Sequence, residues 1–186
     1  ALAPLTAPIT GFAAPAPFEQ GSRHGVFAFD PDFRHLTDYF QKQPVDVLQR
    51  SARLEGTDTC ALDIGIVAMR ADYQRALFAL ASSGDASAAS TPRTTPGLSP
   101  PAGKAAGGSL LDRIGEGTLQ FGLYLEQLTA SLGSVSENEY LARLAGRSAL
   151  AEAEQRAFYR ELHDLPLGGQ LTQKHTFLHF GSVREY

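Results

Sequence analysis

Thr57 to Ala81 reads TDTCALDIGIVAMRADYQRALFALA, and the period assigned to this stretch decides the fold. Leu62, Ile66, Met69, Tyr73, Leu77 and Leu80 recur at steps of four, three, four, four and three, an unbroken apolar stripe at helical spacing. Ile64, Val67 and Phe78 widen the stripe, so both of its flanks should be packed. The spacing predicts one long helix over Asp58–Ala81 at the centre of the fold.

On the N-terminal side, His24 to Phe29 (HGVFAF) is short, apolar and aromatic and reads as a brief strand. Asp30-Pro31 then looks like a helix start, with Phe33, Leu36 and Phe40 following at helical spacing. Pro44 closes that helix and opens another from Val45 to Leu54, ended by Gly56. Residues 1–21 hold Pro4, Pro8, Pro15 and Pro17, which forbid a helix and suggest a flexible Ala/Pro-rich arm.

On the C-terminal side, 22 of the 26 residues from Ser83 to Gly108 are Ala, Gly, Ser, Thr or Pro. Such a segment buries too little apolar surface to offset its ordering entropy and reads as a disordered linker. Beyond it, Ser109 and Asp112 resemble a helix cap. Leu111, Ile114, Thr118, Phe121, Leu125, Leu128 and Leu132 then alternate at steps of three and four, the pattern of a packing seam. Gly115, Gly117 and Gly122 in that run imply that another element approaches its backbone. Val135-Ser136-Glu137-Asn138-Glu139-Tyr140 combines a capping box with a hydrophobic staple and starts a helix over Glu137–His163. Gly168-Gly169 breaks the chain again. The β-branched and aromatic tail from Gln170 to Tyr186 favours extended backbone, suited to a short pairing with His24–Phe29.

The predicted architecture is therefore mainly α: a bundle of four to five helices with extended terminal arms. Residues 22–82 and 109–186 form its two halves around one shared core. No repeat with a period of 20 to 50 residues is visible, which excludes solenoids and propellers.

Charge excludes several function classes. The formal net charge of −4 is spread along the chain, with seven basic and nine acidic residues in 1–82 and seven basic and ten acidic in 109–186. No basic stripe for nucleic acid or an anionic membrane can be assembled from this. No apolar run reaches the ~18 residues that a membrane span needs. The single cysteine, Cys60, excludes an internal disulfide and a multi-cysteine zinc site, and leaves cytoplasm and export both open.

Four clusters bear chemistry. His24, His175 and His179 would converge as metal ligands if the end segments pair, although scattered imidazoles are more often ordinary hydrogen-bonded side chains. Asp30, Asp32, His35 and Asp38 place three carboxylates and an imidazole within nine residues, enough for acid–base work, while capping and dipole placement explain Asp30 and Asp32 equally well. Cys60 in the first turn of a helix would be an activated thiol, but no histidine lies beside it in sequence, and a small apolar role suits it better. Leu111, Phe121, Leu125 and Leu132 are the candidates for binding a partner helix, in another protein or a second copy of this chain.

No phosphate loop, dinucleotide fingerprint, zinc-protease, serine-hydrolase or EF-hand motif occurs, and no cofactor is implied. Taken together, the residues suggest a non-enzymatic interaction or assembly subunit that acts through a bundle surface and flexible arms. The alternative is a metal-dependent or hydrolytic enzyme using the terminal histidines and the Asp30–Asp38 group.

Overall fold

The computed structural model describes residues 6–82, 109–120 and 122–172. The chain divides into two compact units, residues 1–68 with 167–186, and residues 69–166. The expected linker at 83–108 lies outside the described residues, as does the tail beyond Thr172.

The first unit is built on a mixed five-stranded sheet, which replaces the mainly α bundle expected from the sequence. Its strands are β1 (Ile9–Ala16), β2 (Gly25–Phe29), β3 (Leu36–Gln41), β4 (Cys60–Met69) and β5 (Leu167–Leu171), in the order β3-β2-β4-β1-β5. β2 runs antiparallel to β3 and to β4, whereas β1 and β5 are parallel, with Ile9 opposite Leu167 and Ala13 opposite Leu171. Two short helices, α1 (Phe18–Gly21) and α2 (Val45–Ser51), accompany the sheet.

The predicted helix over Asp58–Ala81 is in fact β4 followed by helix α3 (Ala71–Ser82). Helical and strand periods coincide at every fourth residue, so Leu62 and Ile66 satisfy both, and Leu62, Ile64 and Ile66 also alternate. Gly65 breaks the tie: its φ of +74° cannot continue a right-handed helix. The Asp63 side chain holds this bend by accepting the Gly65 N–H at 2.8 Å. β-branched Ile64, Ile66 and Val67 favour the extended form.

The helix expected after Asp30 is also absent. Residues 30–35 turn the chain, with Phe33 at φ +55°, and Leu36 to Gln41 form β3. Residues 1–21 are not simply an arm, because Ile9 to Ala14 are buried in β1. Pro15 lies beyond Ala13, the last residue paired with β5, so its missing N–H costs that ladder nothing. The C-terminal segment pairs with β1, not with the 24–29 strand, and His35 bridges Gly168 so that the two outer strands meet at one corner.

The second unit is helical. Besides α3 it contains α4 (Leu110–Gly115), a π-helical turn at Leu123–Leu128, α5 (Glu137–Leu144) and α6 (Glu152–Leu162). The caps read from sequence are present, with Asp112 N–H bonded to Ser109 Oγ and Glu139 N–H to Ser136 Oγ. The long helices predicted over 110–132 and 137–163 are not, because Gly117 and Gly146 take φ of +69° and +68° and turn the chain. Tyr140 and Tyr159 pack with tilted rings in the core of this unit and donate to the carbonyls of Glu126 and Val135 at 3.2 and 2.9 Å. Among the described residues no helix is long and apolar enough to cross a membrane.

Candidate active site on the β2-β3-β4 sheet

The sheet of the first unit has two unlike faces. Val26 and Ala28 of β2, with Phe40 of β3 and Cys60 of β4, turn toward Phe18, Leu48 and Ala52 and form a core with α1 and α2. Alternation puts Gly25, Phe27, Tyr39 and Gln41 on the other face. Val26 is opposite Leu62, so the next rung sets Gly25 opposite Asp63 on that same face. One rung thus reads Gln41, Gly25, Asp63 across three strands. At the usual strand spacing its two ends are about 10 Å apart.

This end of the sheet carries an acidic and a basic side chain. Asp63 is only 9% exposed, on a strand that is otherwise apolar. Lys42, immediately after β3, has a φ of +49°, and its N–H donates to the His24 carbonyl at 2.9 Å. A non-glycine residue held in the left-handed region costs of order 1 kcal/mol and persists only where its surroundings impose it. Lys42 is the one lysine among the described residues, its side chain is exposed, and no ion pair with a described residue engages it. Lys42 directly follows Gln41 of that rung, so its cation and the Asp63 carboxylate belong to the same end of the sheet, where one can hold an anion and the other hydroxyl groups. Neither residue stood out in the sequence reading. The available signals were an acidic residue and a glycine, Asp63-x-Gly65, inside an apolar run.

The opposite end of the sheet holds the Asp30 group. The Asp30 carboxylate accepts the N–H groups of Arg34 at 2.8 Å and His35 at 3.1 Å, and His35 Nδ1 lies 3.1 Å from its other oxygen. Burial raises the Asp30 pKa, but these bonds outweigh it and hold the carboxyl below its ordinary value. Asp30 therefore shapes the turn. Asp32 is exposed on that turn, and Asp38, in β3, accepts the N–H of Tyr39. A nearby cleft of about 160 Å³ is lined by Asp30, Phe33, Arg53 and Glu55, and Arg53 there is engaged by Asp58 at 2.6 Å and by the Phe18 ring.

His24 precedes β2 and is half-buried, while His175 and His179 lie outside the described residues. Among the described residues no group of three or more His, Cys, Asp and Glu side chains could hold a metal ion. Cys60 lies on a strand instead of a helix terminus. Its Sγ donates to the Ala16 carbonyl, and burial pushes the thiol up to about 11. Leu132 is fully buried in the second unit, Leu125 is half-buried, Leu111 is exposed on α4, and Phe121 lies outside the described residues.

A family model, the fucose pyrophosphorylase domain, matches residues 5–186. No curated protein matches the sequence. The family match and the mixed sheet together overturn the reading as a non-enzymatic, helical assembly subunit. The enzyme alternative fits better, although a pyrophosphorylase domain is neither the hydrolase nor the histidine-metal enzyme that was envisaged. Because the match runs over nearly the whole sequence, this chain belongs to the fucose pyrophosphorylase domain family.

Proposed function

We propose that this chain forms part of a nucleotidyltransferase that makes a nucleoside diphosphate sugar from fucose 1-phosphate. A phosphate oxygen of the sugar phosphate attacks the α-phosphorus of a nucleoside triphosphate. The new P–O bond forms as the bond to the β-phosphate oxygen breaks, and pyrophosphate leaves. The reverse reaction gives the pyrophosphorylase activity for which the family is named.

The observation that carries this reading is the family match over residues 5–186. In such a reaction the protein mainly positions charged groups and stabilises charge. Lys42 has the free ammonium for the sugar phosphate, and Asp63, across the Gly25 rung, accepts hydrogen bonds from sugar hydroxyls. An apolar cleft of about 240 Å³ in the second unit is lined by Leu77, Phe78, Leu111, Ile114 and Phe158 with no charged side chain. It offers no positive charge to a phosphate, which favours the first unit as the seat of binding.

The test is pyrophosphate release by the full protein that carries this chain, with fucose 1-phosphate and each nucleoside triphosphate in turn. Turnover with at least one nucleotide is expected, and Lys42→Ala should raise KM for fucose 1-phosphate at least about 10-fold, the scale of losing one charge-assisted hydrogen bond. Absence of turnover with every nucleotide, or a Lys42→Ala enzyme with unchanged kinetics, refutes it.

A further inference from the structure

We infer that Tyr39 is a positioning residue for Lys42, setting where its ammonium meets the sugar phosphate; this rests on the reading of Lys42 just given. Tyr39 and Gln41 share one face of β3, and the Tyr39 hydroxyl donates to Gln41 Oε1. The Tyr39 ring is held from below by the Phe27 ring, 5.2 Å between centroids. It also lies over Gly25, where an added methyl carbon would meet the Tyr39 hydroxyl oxygen first and come within 2.9 Å of ring atoms Cε2 and Cζ. The glycine is thus the seat of the tyrosine ring, and a side chain there would displace it.

The chain leaves β3 directly after this clamp. Gln41 is tied through its side chain to Tyr39, and its carbonyl accepts from Gln43 Nε2 at 3.3 Å. Lys42, between Gln41 and Gln43, is held at φ +49° with its N–H on the His24 carbonyl, next to the glycine seat. A left-handed lysine persists only if its neighbours over-determine it. The described contacts that do so are the His24 carbonyl on one side and the Tyr39–Gln41 bond on the other. Removing the hydroxyl leaves the fold and the Lys42 charge in place, and frees the direction in which the ammonium projects.

Steady-state kinetics of the full protein separate this from a structural role. Tyr39→Phe keeps the ring on Gly25 and Phe27, and should raise KM for fucose 1-phosphate about 3- to 10-fold, with kcat and the nucleotide KM unchanged. Combined with Lys42→Ala, it should add almost nothing, because the two residues act as one unit. Gly25→Ala, which displaces the ring, should reproduce the Tyr39→Phe effect if it folds. An unchanged Tyr39→Phe enzyme beside a damaged Lys42→Ala enzyme overturns this inference alone, and so does an effect that adds in full to that of Lys42→Ala. A silent Lys42→Ala takes down both this inference and the reading beneath it.

Discussion

Gly169→Ala puts the curled sheet under direct strain. Gly169 lies in β5 opposite Gly11, and its N–H donates to the Arg34 carbonyl at 3.0 Å, where the two outer strands meet. A methyl carbon at this position would sit 2.7 Å from Leu36 Cδ2 and 2.8 Å from Phe29 Cζ. Carbon pairs prefer about 3.5–4.0 Å, and Leu36 is only 3% exposed, so the crowding has little room to relax. Overpacking of this kind costs about 1–3 kcal/mol. The stiffer unfolded chain offsets about 0.4–1 kcal/mol of that, so from a central overpacking cost of about 2 kcal/mol the net loss is about 1–2 kcal/mol. In a chain of this size the midpoint of thermal unfolding should fall by roughly 2–8 °C. Circular dichroism melts of the wild type and variant read this directly. Gly115→Ala is the control, since an added methyl there meets nothing within 4 Å in α4, and it should stabilise by up to about 1 kcal/mol. A Gly169→Ala protein as stable as the wild type would refute the close approach of β5 to Phe29 and Leu36.

Two further outcomes follow from buried groups. Cys60 should resist thiol reagents at pH 8 in the native protein and react at once in denaturant, because burial pushes its pKa up to about 11. Its folded value lies above the unfolded one, so its contribution to stability is full below pH ~8.5 and is lost as pH climbs toward the folded value; rapid native labelling would contradict its burial. Glu154 receives Arg113 and the Ala151 N–H at 2.7 Å, joining α4 to the start of α6, and the pair is 9% and 21% exposed. Glu154→Ala should cost about 1–3 kcal/mol by stranding a half-buried guanidinium, seen as faster amide exchange in 110–115, whereas unchanged exchange there would show the pair to be idle.

Local features were legible in the sequence where one physical cause acts alone. The Ser109 and Ser136 caps, the short strand at Gly25–Phe29 and the helix after Pro44 all form where their side-chain chemistry places them. β4 was not legible, because a spacing of four fits both periods and the deciding feature is one backbone angle at Gly65. β1 was hidden by its prolines, whose effect depends on which residues pair with a neighbour more than 150 positions away. The candidate site was hidden for a related reason. Lys42 and Asp63 belong to one end of a sheet only after strand register is known, and nothing in their separate surroundings announces the pairing.

The most direct test is a titration of isotopically labelled protein with fucose 1-phosphate, followed by amide chemical shifts. The largest changes should fall at Gly25, Gln41, Lys42, Asp63 and Gly65, with the second unit silent. Shifts gathered instead around Asp30 to His35 or in the apolar cleft of the second unit, or none at millimolar ligand, would contradict the placing of the sugar phosphate at the Lys42 end of the sheet.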